Sequence, residues 1–142
     1  MRTIDGAGRA ACLLAAAATL ALGGCAATGA QNADELVRER AQERLDLMLA
    51  EDYNAAYAYL SPGYRSSVTS AAYLKAMALR PVRWTGARVA GTDCTEDACE
   101  VRIAIDYAVY GAVPGVSRFD SKSAATEDWI RVDGEWYLRP SG

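Results

Sequence analysis

The hydrophobic and polar positions change their spacing twice along this chain. Residues 10–22 form an apolar run in which Thr19 is the one polar residue. Apolar residues then recur every three or four positions from Val37 to Leu49, which is the period of an amphipathic helix. From Glu100 to Tyr110 apolar and polar residues alternate, as they do in a strand with one buried face. The pattern predicts an apolar leader, a helical N-terminal half and a C-terminal half built of strands.

The helical half divides into two or three predicted helices. The first covers about 34–50. Asp52 is a suitable N-cap for a second helix, which Pro62 and its neighbours end. Ser70 is a suitable cap for a third helix that stops before Pro81.

Four strands are predicted in the second half. The first, 82–92, contains Gly86 and Gly91, which are suited to β-bulges. The second is 100–110, and the Gly-, Pro- and Ser-containing segment 111–125 is predicted to be a loop.

The last two strands, 126–132 and 135–139, are joined by Asp133-Gly134, a strong signal for a two-residue hairpin. That register places Arg131 opposite Trp136, and puts Trp129 and Leu138 on the face of Trp136. The expected fold class is therefore α+β, with two or three N-terminal helices packed on a strongly bent four-stranded antiparallel sheet.

The apolar leader ends in the sequence Leu22-Gly23-Gly24-Cys25. Its 13 residues, apolar apart from Thr19, are too few to span a bilayer, which takes about 20 residues in a helix. They match the apolar middle of a secretory signal. The four residues at its end resemble the lipobox of bacterial lipoproteins. The resemblance implies a signal peptide over 1–24, cleavage before Cys25, and lipid on that cysteine.

The residue after Cys25 is Ala26 and not Asp, which in the resembled lipoproteins implies delivery to the periplasmic face of the outer membrane. A plain secretory signal, with Ala26, Ala27 and Ala30 available for its small-residue cleavage site, is the alternative. Residues 25–33 are predicted to be the lipidated cysteine and a flexible tether, and 34–142 the folded domain.

Composition narrows the classes of partner and chemistry. The formal net charge is −3, and it becomes −4 when Arg2, Arg9 and Asp5 are removed with the leader. A mildly acidic body argues against nucleic acid as a partner. The chain contains no histidine, the commonest general base near neutral pH and the commonest zinc ligand. We therefore predict no metal and no cofactor, and the membrane as a partner through the lipid alone.

Two cysteines remain in the folded domain, Cys94 and Cys99. They flank a short polar turn between two predicted strands. Facing positions of a hairpin lie within disulfide range, and an oxidising periplasm lets the bond persist. A metal pair is the alternative, although two thiols without histidine make a poor site. The pattern favours a disulfide.

The order of the elements resembles a known superfamily. The helical segment reads AEDYNAAYAYLSPGYR and the chain closes with EDWIRVDGEWYL. Over about 34–139 this resembles the nuclear transport factor two-like superfamily. The resemblance implies a cone-shaped α+β fold with a pocket. No residue here matches the catalytic positions of the isomerase branch, and the dehydratase-like branch uses histidine, which is absent.

The leading functional hypothesis is a non-catalytic module that binds a small apolar ligand or an envelope protein, or that serves envelope assembly. Aromatic residues give a pocket large apolar contact area, although aromatics at regular spacing are more often simply core. The candidate pocket residues are Tyr53, Tyr57, Tyr73, Trp84, Tyr107 and Trp129.

The alternative is a small pocket enzyme of the isomerase or dehydratase type that uses a carboxylate and a tyrosine. Asp106, with Tyr107 or Tyr110, is the best candidate. Strand alternation counts against it, because Asp106 and Tyr107 point to opposite faces while Asp106 shares its face with Arg102. The simpler, non-functional interpretation is that Asp106 is exposed and pairs with a basic residue across the strands.

Overall fold

The computed structural model describes residues 25–141, with side chains for 32–111 and 114–141. The predicted signal peptide, 1–24, and the side chain of Cys25 lie outside that description. Four helices precede four strands: α1 Cys25–Leu49, α2 Tyr53–Tyr57, α3 Pro62–Ser67, α4 Ser70–Ala78, β1 Val82–Cys94, β2 Ala98–Val113, β3 Val116–Val132 and β4 Glu135–Arg139. Within the described range, no helix is long and apolar enough to cross a membrane.

Helix α1 packs on the sheet through the face that the helical period predicts. Val37, Ala41, Leu45 and Met48 are all buried. The helix begins at Cys25, nine residues before the predicted start, so the segment predicted as a tether continues the helix. Ala33 belongs to the core, which means that contact with the sheet begins before Asp34. Asp34 therefore lies inside the helix.

The short helices follow their caps. The Asp52 carboxylate accepts a hydrogen bond from Ala55 N at 3.0 Å, as predicted for the start of α2. Helix α4 is capped by Thr69, one residue before the predicted Ser70. Pro62 ends the preceding segment but also opens α3, which was not predicted. Proline suits the first turn of a helix, where no backbone N–H is needed.

The strands form one antiparallel sheet in the order β1-β2-β3-β4. The register of β1 on β2 shifts next to Gly86 and next to Gly91, which confirms both predicted bulge positions. The Asp133-Gly134 hairpin is also confirmed, with Arg131 opposite Trp136. Both turn residues have positive φ, as the tight hairpin requires.

The predicted loop 111–125 is wrong. Strand β3 begins at Val116 and pairs with β2 along its length, and the chain reverses at 114–115. Nearly all of β3 up to Glu127 is exposed on both faces, so no buried apolar period marks it as a strand. Backbone pairing with β2 forms this strand, and hydrophobic burial does not.

Candidate functional site

The six predicted pocket aromatics do not converge on one cavity. Trp129 is fully buried in the core. Tyr57 and Tyr73 pack against each other with ring centroids 5.6 Å apart, and the Tyr57 hydroxyl donates to Val68 O at 2.7 Å. Tyr107 lies half-buried opposite Trp84 in the register of β1 on β2. For Tyr57, Tyr73 and Trp129, the core interpretation is the one that the packing supports.

The remaining two aromatics, Tyr53 and Trp84, line a cleft between the end of α1, α4 and the start of β1. We call it the methionine cleft, since Met48 and Met77 also line it. Its volume is about 20 Å³, which is roughly the room of one or two waters. Its full lining is Met48, Glu51, Tyr53, Met77, Arg80, Val82 and Trp84.

The charged residues of the methionine cleft are exposed, whereas its methionines are buried. Glu51 forms an ion pair with Arg83 at 3.4 Å. Glu51 also has a positive φ of 57°, an uncommon conformation for a residue other than glycine. The turn after α1 thus holds a carboxylate beside an apolar cleft, and Arg80 adds a positive charge on the α4 side.

A buried ion pair lies in the core next to this cleft. Arg44 Nη1 of α1 donates to Glu127 Oε1 of β3 at 2.8 Å, with 8% and 11% of the two side chains exposed. The other carboxylate oxygen of Glu127 accepts from Trp129 Nε1 at 3.1 Å. Arg44 Nε is buried and finds no hydrogen-bond partner in the part of the chain that the structure describes. The pair ties α1 to β3 through the middle of the core.

Tyr73 joins the ion pair to the cleft. Its hydroxyl donates to the sulfur of Met48 at 3.5 Å, and Met48 lines the cleft. Burial raises the pKa of Tyr73 above its usual 10.0, and the nearby Arg44 guanidinium offsets this only in part. Tyr73 therefore stays neutral at physiological pH and acts as a hydrogen-bond donor.

Asp106, the carboxylate proposed for an enzyme, lies on the other face of the sheet. Its carboxylate is 3.1 Å from Lys122 Nζ, directly across the strand pair. It also lies against Gly86, where any Cβ would come within 2.9 Å of Asp106 Oδ2. The predicted cross-strand pairing of Asp106 with a basic residue is confirmed, and its side chain is 40% exposed.

Two charged residues of the core, Arg44 and Glu127, are not among the residues predicted from the sequence. Arg44 is seven residues after Val37, so the helical period already places it on the buried face. Glu127 likewise alternates with Trp129 on one face of β3. A charge at each of two core positions, opposite in sign, was the signal that could have identified the pair.

The two cysteines of the domain do meet. Cys94 faces Cys99 in the register of the β1–β2 hairpin, with Cα atoms 4.1 Å apart and the sulfurs at disulfide distance. Elsewhere in residues 25–141, no three cysteine, aspartate or glutamate side chains cluster closely enough to hold a metal ion.

No protein-family model matches the chain, and no curated protein matches it. Among solved structures, the solution structure of a SEC-C motif containing protein from Rhodopseudomonas palustris is similar in fold. The TM-score is 0.53 at 13% sequence identity, and the match covers 68% of this chain and 70% of that chain. At this identity the likeness concerns the fold alone.

Proposed function

We propose that this chain is a lipoprotein anchored at the periplasmic face of the outer membrane, whose folded domain binds an envelope partner without catalysing a reaction. The methionine cleft is the observation that supports binding. Methionine side chains are flexible and polarisable, and are common at surfaces that accept varied apolar groups. Sites for drug-sized ligands occupy about 300–1,000 Å³. This cleft has room for only one or two waters, so we infer that it receives the end of a single apolar side chain of a partner protein.

The position of Asp106 favours the non-catalytic function. A general base near neutral pH needs an environment that raises the pKa of its carboxyl group. Asp106 is instead 40% exposed and pairs with Lys122 at 3.1 Å, so its carboxylate is neither buried nor without a partner. The cleft and Asp106 also belong to different surfaces of the domain.

We further propose that the domain has the strongly bent sheet of the nuclear transport factor two-like superfamily. The two bulges in β1 support this, because each bulge bends its strand and increases its twist. Helix α1 lies against β1 between those bulges, since Gln42 bonds to Ala87 and Val89.

The anchor is tested by replacing its attachment point. Cys25→Ser should leave an unprocessed precursor that takes no label from a palmitate analogue, while the wild-type chain is labelled. The Cys94→Ser/Cys99→Ser double variant should still be labelled and serves as the control. Equal labelling of wild type and Cys25→Ser would show that the lipid is not on this residue.

Binding at the cleft is tested by site-specific photo-crosslinking in cells that express the full chain. Leu79 is 72% exposed and lies between two cleft residues, Met77 and Arg80. Leu36 on α1 is 55% exposed and provides a matched control. A photoreactive residue at position 79 should give one discrete protein adduct that position 36 does not give. Equal adducts at both positions would contradict the proposal. Turnover of an envelope metabolite that is lost in a folded Asp106→Asn variant would overturn the non-catalytic function.

A further inference from the structure

One edge of the sheet has no partner. Strand β4 pairs only with Asp128–Val132, the last five residues of β3. Among residues 25–141, no other backbone hydrogen-bonds to the outer side of 116–127, and all of this segment except Ser121 and Glu127 is exposed. We call 116–127 the open edge. Its twelve residues are longer than an average strand, and they offer a row of free backbone donors and acceptors.

At the other borders of the sheet, part of the free backbone is hydrogen-bonded. On β1, Val89 N donates to Gln42 Oε1 at 2.9 Å and Gln42 Nε2 donates to Ala87 O at 3.3 Å. On β4, Ser61 N donates to Leu138 O and Leu138 N donates to Tyr59 O, both at 2.8 Å. The open edge therefore differs from both other borders of the same sheet.

We propose that the open edge pairs with the open edge of a second copy of this chain, antiparallel and centred on Ser121. The two four-stranded sheets then become one continuous eight-stranded sheet. A two-fold symmetric pairing of this kind places residue i opposite residue 242 − i of the second copy, and facing residues share a face. The inference does not depend on the lipid anchor or on the methionine cleft.

Charge selects this register. With Ser121 at the centre, Asp120 faces Lys122 of the second copy twice, once on each side of the axis. Centring the pair on Asp120 or on Lys122 would place that residue opposite itself, and like charges directly opposite are destabilising. Centring it on Phe119 would also oppose unlike charges, but it pairs only 116–122, whereas the Ser121 register pairs 116–126.

The same register covers an exposed aromatic ring. Phe119 is 55% exposed. In the proposed pair it faces Ser123 of the second copy, whose neighbour across the strands is Ile105, a core residue. A large ring thus lies over small residues at the border of the core, where it buries apolar area. Existing ion pairs of Asp120 with Arg118 and of Lys122 with Asp106 are exposed, so they can be shared or exchanged at little cost.

The register is tested by cysteine crosslinking of the full chain in cells. Ser121→Cys places the new thiol next to its own copy across the symmetry axis, so a covalent dimer should form under mild oxidation. The wild-type chain reports on the native cysteines, and Ser66→Cys, an exposed serine on α3, reports on random collision. A dimer at Ser121→Cys alone is expected. A dimer at Phe119→Cys in its place, an equal yield at Ser66→Cys, or an adduct with another protein would overturn the proposal.

The charge argument is tested by native mass spectrometry of the detergent-solubilised full chain over a concentration series. Lys122→Asp should raise the dimer dissociation constant about tenfold, because two attractive pairs become repulsive. Asp120→Lys combined with Lys122→Asp should restore dimers. Asp128→Lys is the matched control, since it removes an exposed ion pair on the same strand outside the open edge. A monomeric wild type, or a dimer indifferent to Lys122→Asp, would overturn the proposal.

Discussion

The β1 edge and the open edge of β3 belong to one sheet and are treated in opposite ways. Helix α1 lies along β1. The Gln42 side chain forms hydrogen bonds with one N–H and one C=O of that strand, as a neighbouring strand would. Arg38 adds a hydrogen bond to the Thr92 hydroxyl at 3.1 Å. One helix thus covers part of the edge by side-chain contacts, without any β-pairing.

Within the described chain, no helix forms such hydrogen bonds with the open edge. The open edge instead carries charged residues. Arg118, Asp120 and Lys122 alternate in sign along one face. Charged residues on an edge strand suppress indiscriminate pairing. An alternation of signs is more selective, because it still permits a partner with the complementary order. An edge strand can therefore be covered by another element, or stay open and be protected from unspecific pairing by its charges.

The largest effect on stability is expected at Glu127, where the open edge meets the part of β3 that pairs with β4. Glu127 is the last residue before the β4 pairing begins, and Arg44 holds it from α1. Arg44→Ala leaves a buried carboxylate without its cation, which we expect to lower the free energy of unfolding by about 3–5 kcal/mol. Chemical denaturation measures this loss.

A neutral replacement of both partners is the control. Arg44→Met with Glu127→Gln removes both charges but keeps an oxygen for the Trp129 indole N–H. We expect the double variant to recover most of the lost stability. If Arg44→Ala costs less than about 1 kcal/mol, the ion pair does not stabilise the packing of α1 on β3.

The second effect concerns the far end of the β1–β2 hairpin, which Cys94 and Cys99 close covalently. Chain entropy for so short a loop gives about 2 kcal/mol, less than the roughly 3 kcal/mol of a 15-residue loop. Reduction should lower the unfolding midpoint accordingly, and Cys94→Ala/Cys99→Ala should match the reduced protein. Two alkylated thiols in unreduced periplasmic material would contradict the bond itself.

The third effect opens the β1 edge directly. Gln42→Ala removes both hydrogen bonds to β1, and we expect a loss of about 1–2 kcal/mol. Hydrogen exchange at the Val89 amide should accelerate, while exchange along the open edge stays unchanged. Gln42→Glu keeps the acceptor for Val89 N and should protect that amide better than alanine does. Unchanged exchange at Val89 in Gln42→Ala would mean that β1 needs no cover.

This contrast also explains which parts of the fold the sequence predicted. Strand β2 and the hairpin of Asp133-Gly134 were predicted because burial on one face, or an obligatory turn, leaves a signal in the residues themselves. The strand over 116–125 was predicted as a loop, because a segment exposed on both faces has no apolar period. Its structure depends on β2, and a one-dimensional pattern does not contain that pairing.

The candidate site shows the same limit. Tyr53 and Trp84 were predicted to line a pocket, and they line the methionine cleft. Tyr57, Tyr73 and Trp129 have the same chemistry but fill the core. Which aromatic faces solvent is decided by how α4 and α1 meet β1, and this tertiary arrangement is not encoded in spacing along the chain.

The smallest effect is a pH dependence of the folding stability, which we expect from Tyr73 in the core. Burial raises the pKa of Tyr73 in the folded state above 10.0, whereas an unfolded tyrosine ionises near 10. The unfolded chain therefore loses this proton first as the pH rises. The contribution of Tyr73 to stability is complete below pH 10 and is lost as the pH rises from there through the folded pKa.

Tyr73→Phe should cost less than about 1 kcal/mol at pH 7, where only the hydrogen bond to Met48 is lost. Above pH 10 its stability should fall less steeply than that of the wild type. Tyr110→Phe, at an exposed position near the β2–β3 turn, should keep the wild-type slope. Thermal unfolding of the three proteins between pH 7 and 11 measures the difference, and parallel curves for wild type and Tyr73→Phe would show that the Tyr73 hydroxyl is not titrated with unfolding.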